Sequence, residues 1–176
     1  LPIIIGVPLP FPPIQIVLLE LFMDLGASSG FVAEREEADV MKRPPRNPKE
    51  RFMTRAMTTS IFISAFGLFV AVSACYLFTY YQTGSLVQAQ TVAFATWIFT
   101  HVFLALNLRS ERQPLLKMGL FSNRVIVGWA LSAIVMLLAV TLIPPFQILL
   151  KTSTLTGFDW ALVVLVSFLS TFWLEL

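Results

Sequence analysis

Residues 56–81 read AMTTSIFISAFGLFVAVSACYLFTYY, and this stretch decides the fold, because it contains no Asp, Glu, Lys or Arg. A helix that crosses the hydrocarbon core of a bilayer needs about 20 apolar residues at ~1.5 Å rise each. Residues 56–81 exceed that length. Working outward, residues 89–108 form a second stretch with no acid, Lys or Arg. Residues 125–143 and 158–176 follow, the last with Asp159 and Glu175 near its ends. Upstream, residues 14–31 are apolar apart from Glu20 and Asp24 among their charged types. The whole chain agrees: 57% of its 176 residues are hydrophobic and 12% charged, with mean hydropathy +0.80. A soluble domain lies nearer ~45–50% apolar and ~25% charged. The sequence therefore predicts an all-α membrane protein, a bundle of five transmembrane helices. A soluble enzyme, a disordered linker and a disulfide scaffold are excluded, the last because Cys75 is the single cysteine.

The charges set the topology. Arg35, Lys42, Arg43, Arg46, Lys49, Arg51 and Arg55 lie between the first two stretches, and Arg109, Arg112, Lys117 and Arg124 between the third and fourth. The alternate connections hold only Lys151. By the positive-inside rule, loops 32–55 and 109–124 are cytoplasmic. Five spans then leave the N-terminal end outside and the C-terminus in the cytoplasm. Tyr80, Tyr81 and Trp160 fall near span ends, where amphipathic rings sit at the interface. Residues 1–13 carry five prolines and no basic residue, unlike a secretory signal, and read as a chain joined partway through something longer.

Glu20 and Asp24 are the residues that need explaining. Four apart on a helix, they share one face. An ionised acid at bilayer depth costs about 2.5–3.5 kcal/mol on insertion scales. Two of them repel unless one is protonated or a cation lies between. The functional reading is a cation or proton site. The structural alternative is a pair bonded to neighbouring helices, or a shallow span that leaves Glu20 in water. Gly26, Ala27, Ser28, Ser29 and Gly30 follow at once, and Gly26 with Gly30 has the small-xxx-small spacing of close helix packing. His101, with Thr96, Thr100 and Asn107 nearby, either faces the same polar interior or rests neutral against a backbone carbonyl. No phosphate-binding Gly loop, Cys/His metal pattern or nucleophile–base pair is present. The loop at 32–55 mixes Glu34, Glu36, Glu37 and Asp39 with its basic residues, so nucleic acid is not a partner.

Residues 39–50, DVMKRPPRNPKE, with LFMDLG at 21–26, closely resemble P-type cation-transporting ATPases of the calcium-pump and sodium/potassium-pump branch. The run Arg-Pro-Pro-Arg-x-Pro-Lys is the specific part. The likeness continues through ALNLRS at 105–110, LLKM at 115–118 and IPPF at 143–146. It covers nearly all of residues 1–176 as a C-terminal transmembrane domain holding the family's membrane helices six to ten. The resemblance implies that Asp24 matches an ion-ligating aspartate of the sixth helix. Glu20 falls where calcium pumps have asparagine and sodium/potassium pumps aspartate, and Met23 where two-site calcium pumps have threonine. His101 falls where the two-site calcium pump has a ligating glutamate. These departures imply one cation site, or one coupled to protons. The transported cation implied is calcium foremost, at a multi-pass site in the cell membrane.

The resemblance further implies partners: the lipid bilayer, and the remainder of a pump chain with membrane helices one to five and the cytoplasmic domains. Mg and ATP would act only through those domains. The family's phosphorylation motif, Asp-Lys-Thr-Gly, is not in this sequence. Alone, then, this chain is expected neither to hydrolyse ATP nor to pump. Competing readings are a non-catalytic scaffold or partner module, and a small channel or secondary transporter; no inverted repeat supports the transporter. The topology is checked by placing a cysteine at Asn47. An impermeant thiol reagent should label it only after cells are permeabilised, and labelling of intact cells would contradict the assignment.

Overall fold

The computed structural model describes residues 6–34, 53–109, 119 and 121–172, apart from the side chains of Asp24, Leu25, Ala56 and Phe172. The greater part of loops 32–55 and 109–124, and residues 173–176 of the last expected span, lie outside the described residues. Among the described residues all regular structure is helical. α1 (Pro13–Leu19) runs into a π-helical turn (Glu20–Asp24) and on into α2 (Leu25–Val32). α3 (Arg55–Thr83), α4 (Leu86–Asn107) and α5 (Arg124–Leu142) are long; α6 (Pro144–Leu150) is short, and α7 (Gly157–Phe172) closes the order. Four segments are long and apolar enough to cross a membrane by length and composition: Pro13–Val32, Met57–Thr83, Leu86–Asn107 and Arg124–Leu142. Gly157–Thr171 is apolar but shorter.

Local chemistry places the helix ends. Thr54 caps α3 by accepting from the Met57 amide at 3.2 Å, and Ser85 caps α4 by accepting from Gln88 at 3.3 Å. Between α3 and α4 stands Gly84 in the left-handed region, φ +67°, where a side chain would be strained. Pro144 and Pro145 do more than end α5. Proline lacks an N–H that a first turn does not need, so the same pair starts α6. That short helix was not foreseen from the sequence, since its residues continue an apolar run.

α4 is the axis of the bundle, packed against α3, α5 and α7, with 67% of its most apolar stretch buried. Its buried residues include Ala89, Ala93, Ala95, Thr96 and Ala105, small enough to let neighbours approach. Polar ties hold α7 to α4 along its length. Ser167 Oγ donates to the Thr96 carbonyl at 3.2 Å, and Asn107 Nδ2 donates to the Thr171 carbonyl at 3.2 Å. At the other end, Gln88 Nε2 donates to Asp159 Oδ2 at 3.0 Å. Asp159 is buried, and the same oxygen accepts from the Thr156 amide (2.9 Å) and hydroxyl (2.8 Å). Thr156 Oγ1 accepts from the Asp159 amide in return, a reciprocal cap that starts α7. The proline-rich segment before α1 is strapped to the same core. Tyr76 Oη donates to the Pro8 carbonyl at 2.6 Å and Gln90 Nε2 to the Leu9 carbonyl at 2.8 Å.

Asp159→Ala strands three donors at once, so a loss of about 1–3 kcal/mol is expected. It should appear as a lowered melting midpoint in detergent. An unchanged midpoint would remove Asp159 from the account of the fold.

Candidate cation site

The helix that carries both acids is not a regular α-helix. Between α1 and α2, Glu20–Asp24 form one π-helical turn, with Glu20 as its first residue and Asp24 as its last. A π-turn inserts one residue into the hydrogen-bond ladder, and such insertions concentrate at functional sites. Inside hydrocarbon, a backbone carbonyl displaced from the ladder needs another donor. At the centre of this turn the indole Nε1–H of Trp129, on α5, donates to the Phe22 carbonyl at 3.2 Å. The approach depends on Gly26, since a Cβ there would overlap indole Cδ1 and Nε1. One turn further, a Cβ at Gly30 would overlap Ile126 Cγ1. The small-xxx-small pair therefore seats α2 on α5, the packing role weighed for it from sequence.

Within the turn, side chains divide between two environments. Met23 is buried in the core, at 1% exposure. Glu20 is exposed and shares its side of the helix with the exposed Val17 and Leu21. The side chain of Asp24 lies outside the described residues; its backbone closes the π-turn. His101 sits on a different helix, α4. Its ring is half-buried and stacked on Trp97, centroids 5.0 Å apart and planes 20° from parallel. Trp97 in turn takes Phe11 edge-on at 5.7 Å. Among the described residues no three His, Cys, Asp or Glu converge as a metal site. The structure thus brings Glu20 and Asp24 onto one turn and records His101 in an aromatic stack.

A second polar cluster was missed by the sequence reading, which counted Glu34 and Arg109 as loop charges. Arg109 and Glu34 pair bidentately, Nε to Oε2 at 2.9 Å and Nη2 to Oε1 at 2.8 Å, with the arginine side chain fully buried. Arg109 also donates to Ser122 Oγ (2.6 Å) and the Gly119 carbonyl (3.3 Å). Asn123 joins the network, donating from Nδ2 to Glu34 Oε2 (2.7 Å) and to the Gly30 carbonyl (2.9 Å). Its Oδ1 accepts from the Val125 and Ile126 amides and so caps α5. The ends of α2, α4 and α5 are tied in one knot. Only the cap had a sequence signal, an Asn just ahead of an apolar run.

The family profile described as "Cation transporting ATPase, C-terminus" matches residues 8–176. The chain belongs to this family. It is a C-terminal membrane domain of the P-type cation-transporting ATPases. The calcium-transporting ATPase of Bacillus subtilis (strain 168) is 33% identical over 170 residues, 96% of this chain and 19% of that protein. The calcium-transporting ATPase type 2C member 2 of Rattus norvegicus is 28% identical over 163 residues, 90% of this chain and 17% of that protein. Its type 2C member 1 counterpart from Homo sapiens is 27% identical over 154 residues, 86% of this chain and 16% of that protein. The chain spans about a fifth of the length of such relatives.

Two glycines of the membrane domain test the packing. Gly30 meets Ile126, whereas a Cβ at Gly128, on α5, would meet nothing within 4 Å. Gly30→Leu should lower stability by about 1–3 kcal/mol through overpacking. Gly128→Leu should leave it nearly unchanged. Equal detergent melting midpoints for the two variants would defeat this assignment.

Proposed function

We propose that this domain supplies part of the cation path of an ATP-driven pump, with the carboxylates of Glu20 and Asp24 as ligands of the transported ion. The observation that carries the reading is the π-helical turn bounded by these two acids in a span with no other Asp, Glu, Lys or Arg. Calcium is the leading candidate, since the relatives are named as calcium-transporting ATPases. A hard cation of this kind takes about 6–8 oxygen ligands. Two carboxylates with the carbonyls of a distorted turn supply some of these, and the others come from the remainder of the pump chain. That division fits the exposure of Glu20. An acid within a span faces a bundle interior or a wet cavity, not lipid. The side of the first span that carries Val17, Glu20 and Leu21 is therefore where further membrane helices pack.

The chemistry of the site is electrostatic. Two carboxylates one turn apart repel, and a divalent cation between them offsets both that repulsion and their desolvation. When the ion leaves, protonation of one acid serves the same end, which would couple transport to protons. Met23, a soft thioether turned into the core, is no ligand for a hard cation. With His101 held in an aromatic stack, one cation per cycle is the simplest reading. ATP and Mg act in cytoplasmic domains outside this chain. The pump is a multi-pass protein of the cell membrane, its C-terminus and the loops 32–55 and 109–124 cytoplasmic.

Asp24→Asn keeps the shape and removes one charge. In the complete pump it should abolish or greatly weaken cation-stimulated phosphorylation. Glu20→Gln should act in the same direction with a smaller effect. Transport by Asp24→Asn with unchanged apparent cation affinity would make Asp24 structural and overturn the reading.

A further inference from the structure

We infer that Trp129 is a positioning residue for the cation site: its indole N–H holds the Phe22 carbonyl and thereby fixes the π-turn on which Glu20 and Asp24 stand. The inference rests on the site reading above. Phe22 lies two residues from each acid, so the orientation of its peptide sets the backbone on both sides of the turn. The bond is 3.2 Å long and joins the turn to a helix, α5, that carries neither acid. Trp129 itself is 7% exposed, which keeps water from competing for the same carbonyl.

Three features show that this contact is built rather than incidental. Gly26 is the residue that a regular helix would place over the Phe22 carbonyl, four positions on, and it is the one whose Cβ would collide with the indole. The ring therefore occupies the space that glycine leaves. Gly30 against Ile126 repeats the close approach one turn away, so α5 cannot back off without opening both contacts. Beyond them, Asn123 Nδ2 donates to the Gly30 carbonyl at 2.9 Å. Trp129 of α5 and Asn123, the residue that caps it, thus grip two carbonyls of the segment that carries the acids. An indole N–H serves this purpose well, because it is a donor only and cannot turn to offer an acceptor.

A π-turn and an α-turn of one sequence differ by a shift of one residue in the ladder, so a donor that stabilises the shifted form biases the choice between them. Removing the donor should let the turn relax and spread the positions of Glu20 and Asp24. The effect should fall on cation affinity more than on turnover. One hydrogen bond of this kind corresponds to about a three- to tenfold change in an equilibrium constant.

The test uses the complete pump and calcium. Trp129→Phe keeps an aromatic ring and removes the donor. Replacement of Trp129 by 3-benzothienylalanine, which has sulfur where indole has N–H, keeps the ring shape and decides the matter if the phenylalanine variant does not fold. Either should weaken apparent calcium affinity for activation of ATP hydrolysis about three- to tenfold, with the maximal rate changed less than about twofold. Gly26→Ala should weaken it too, and combining it with Trp129→Phe should add little, because both break one contact. Unchanged calcium affinity in the folded variants, or a lowered melting midpoint and rate at unchanged affinity, overturns the positioning role. Asp24→Asn measured alongside separates the two proposals. Unchanged affinity there overturns the site itself; weakened affinity there, with both Trp129 variants like wild type, overturns only the part assigned to Trp129.

Discussion

In the hydrocarbon core of a bilayer there is no water to accept or donate a hydrogen bond, so every irregular backbone group must find a partner within the protein. Among the described residues, several departures from helical regularity carry hydrogen bonds from donors outside the turn. The π-turn at Glu20–Asp24 is met by Trp129 Nε1 on the Phe22 carbonyl. At the end of α6, the buried Gln15 donates to the Leu150 carbonyl at 3.0 Å. The Thr152 hydroxyl donates to the Val140 carbonyl, and the Thr152 amide to that of Gln147 at 3.0 Å. Three of these four bonds join residues twelve or more positions apart.

The fold separates a well-filled core from the helix that bears the acids. α3, α4 and α7 pack on one another through small residues and polar ties, with α4 mostly enclosed. The segment Pro13–Val32 is only 25% buried over its most apolar stretch and is held chiefly by α5. Its attachment includes the Gln15 bond to Leu150, the seat of Gly26 and Gly30 on Trp129 and Ile126, and the Glu34–Arg109–Asn123 knot. Breaking one partner of such a buried ion pair typically costs about 3–5 kcal/mol, so the knot is a firm end point. A helix fixed on one side and open on the other suits a site completed by further helices. The exposed Glu20 lies on the open side.

The all-helical class was legible because membrane spans are written in long runs that need no knowledge of partners. Ala89, Val92 and Ile98 share a stretch without charges, and length alone makes that stretch a span. The spacing of Gly26 and Gly30 foretold a close helix approach, since only backbone geometry is involved. The π-turn was not legible, because the residues of an α-turn and a π-turn are the same and the indole bonded to the turn comes from Trp129, more than a hundred positions away. Nor was the ion pair: Glu34 and Arg109 each sit among other charges, and their union depends on how three helix ends meet. The stack of the His101 ring on Trp97 was not legible either. Four residues apart on one helix turn, an aromatic and a histidine are free to stack, a contact that polarity alone does not suggest.

If the π-turn bounded by Glu20 and Asp24 holds the transported ion, the ion should be visible there in the complete pump. A cryo-electron-microscopy structure of the complete pump in calcium, at a resolution that shows bound ions, tests it most directly. The account predicts an ion within about 2.3–2.6 Å of carboxylate oxygens of both Glu20 and Asp24. The same map should show the turn still π-helical and the Trp129 indole on the Phe22 carbonyl. A calcium ion bound elsewhere in the membrane, with residues 20–24 in a regular α-helix, would contradict it.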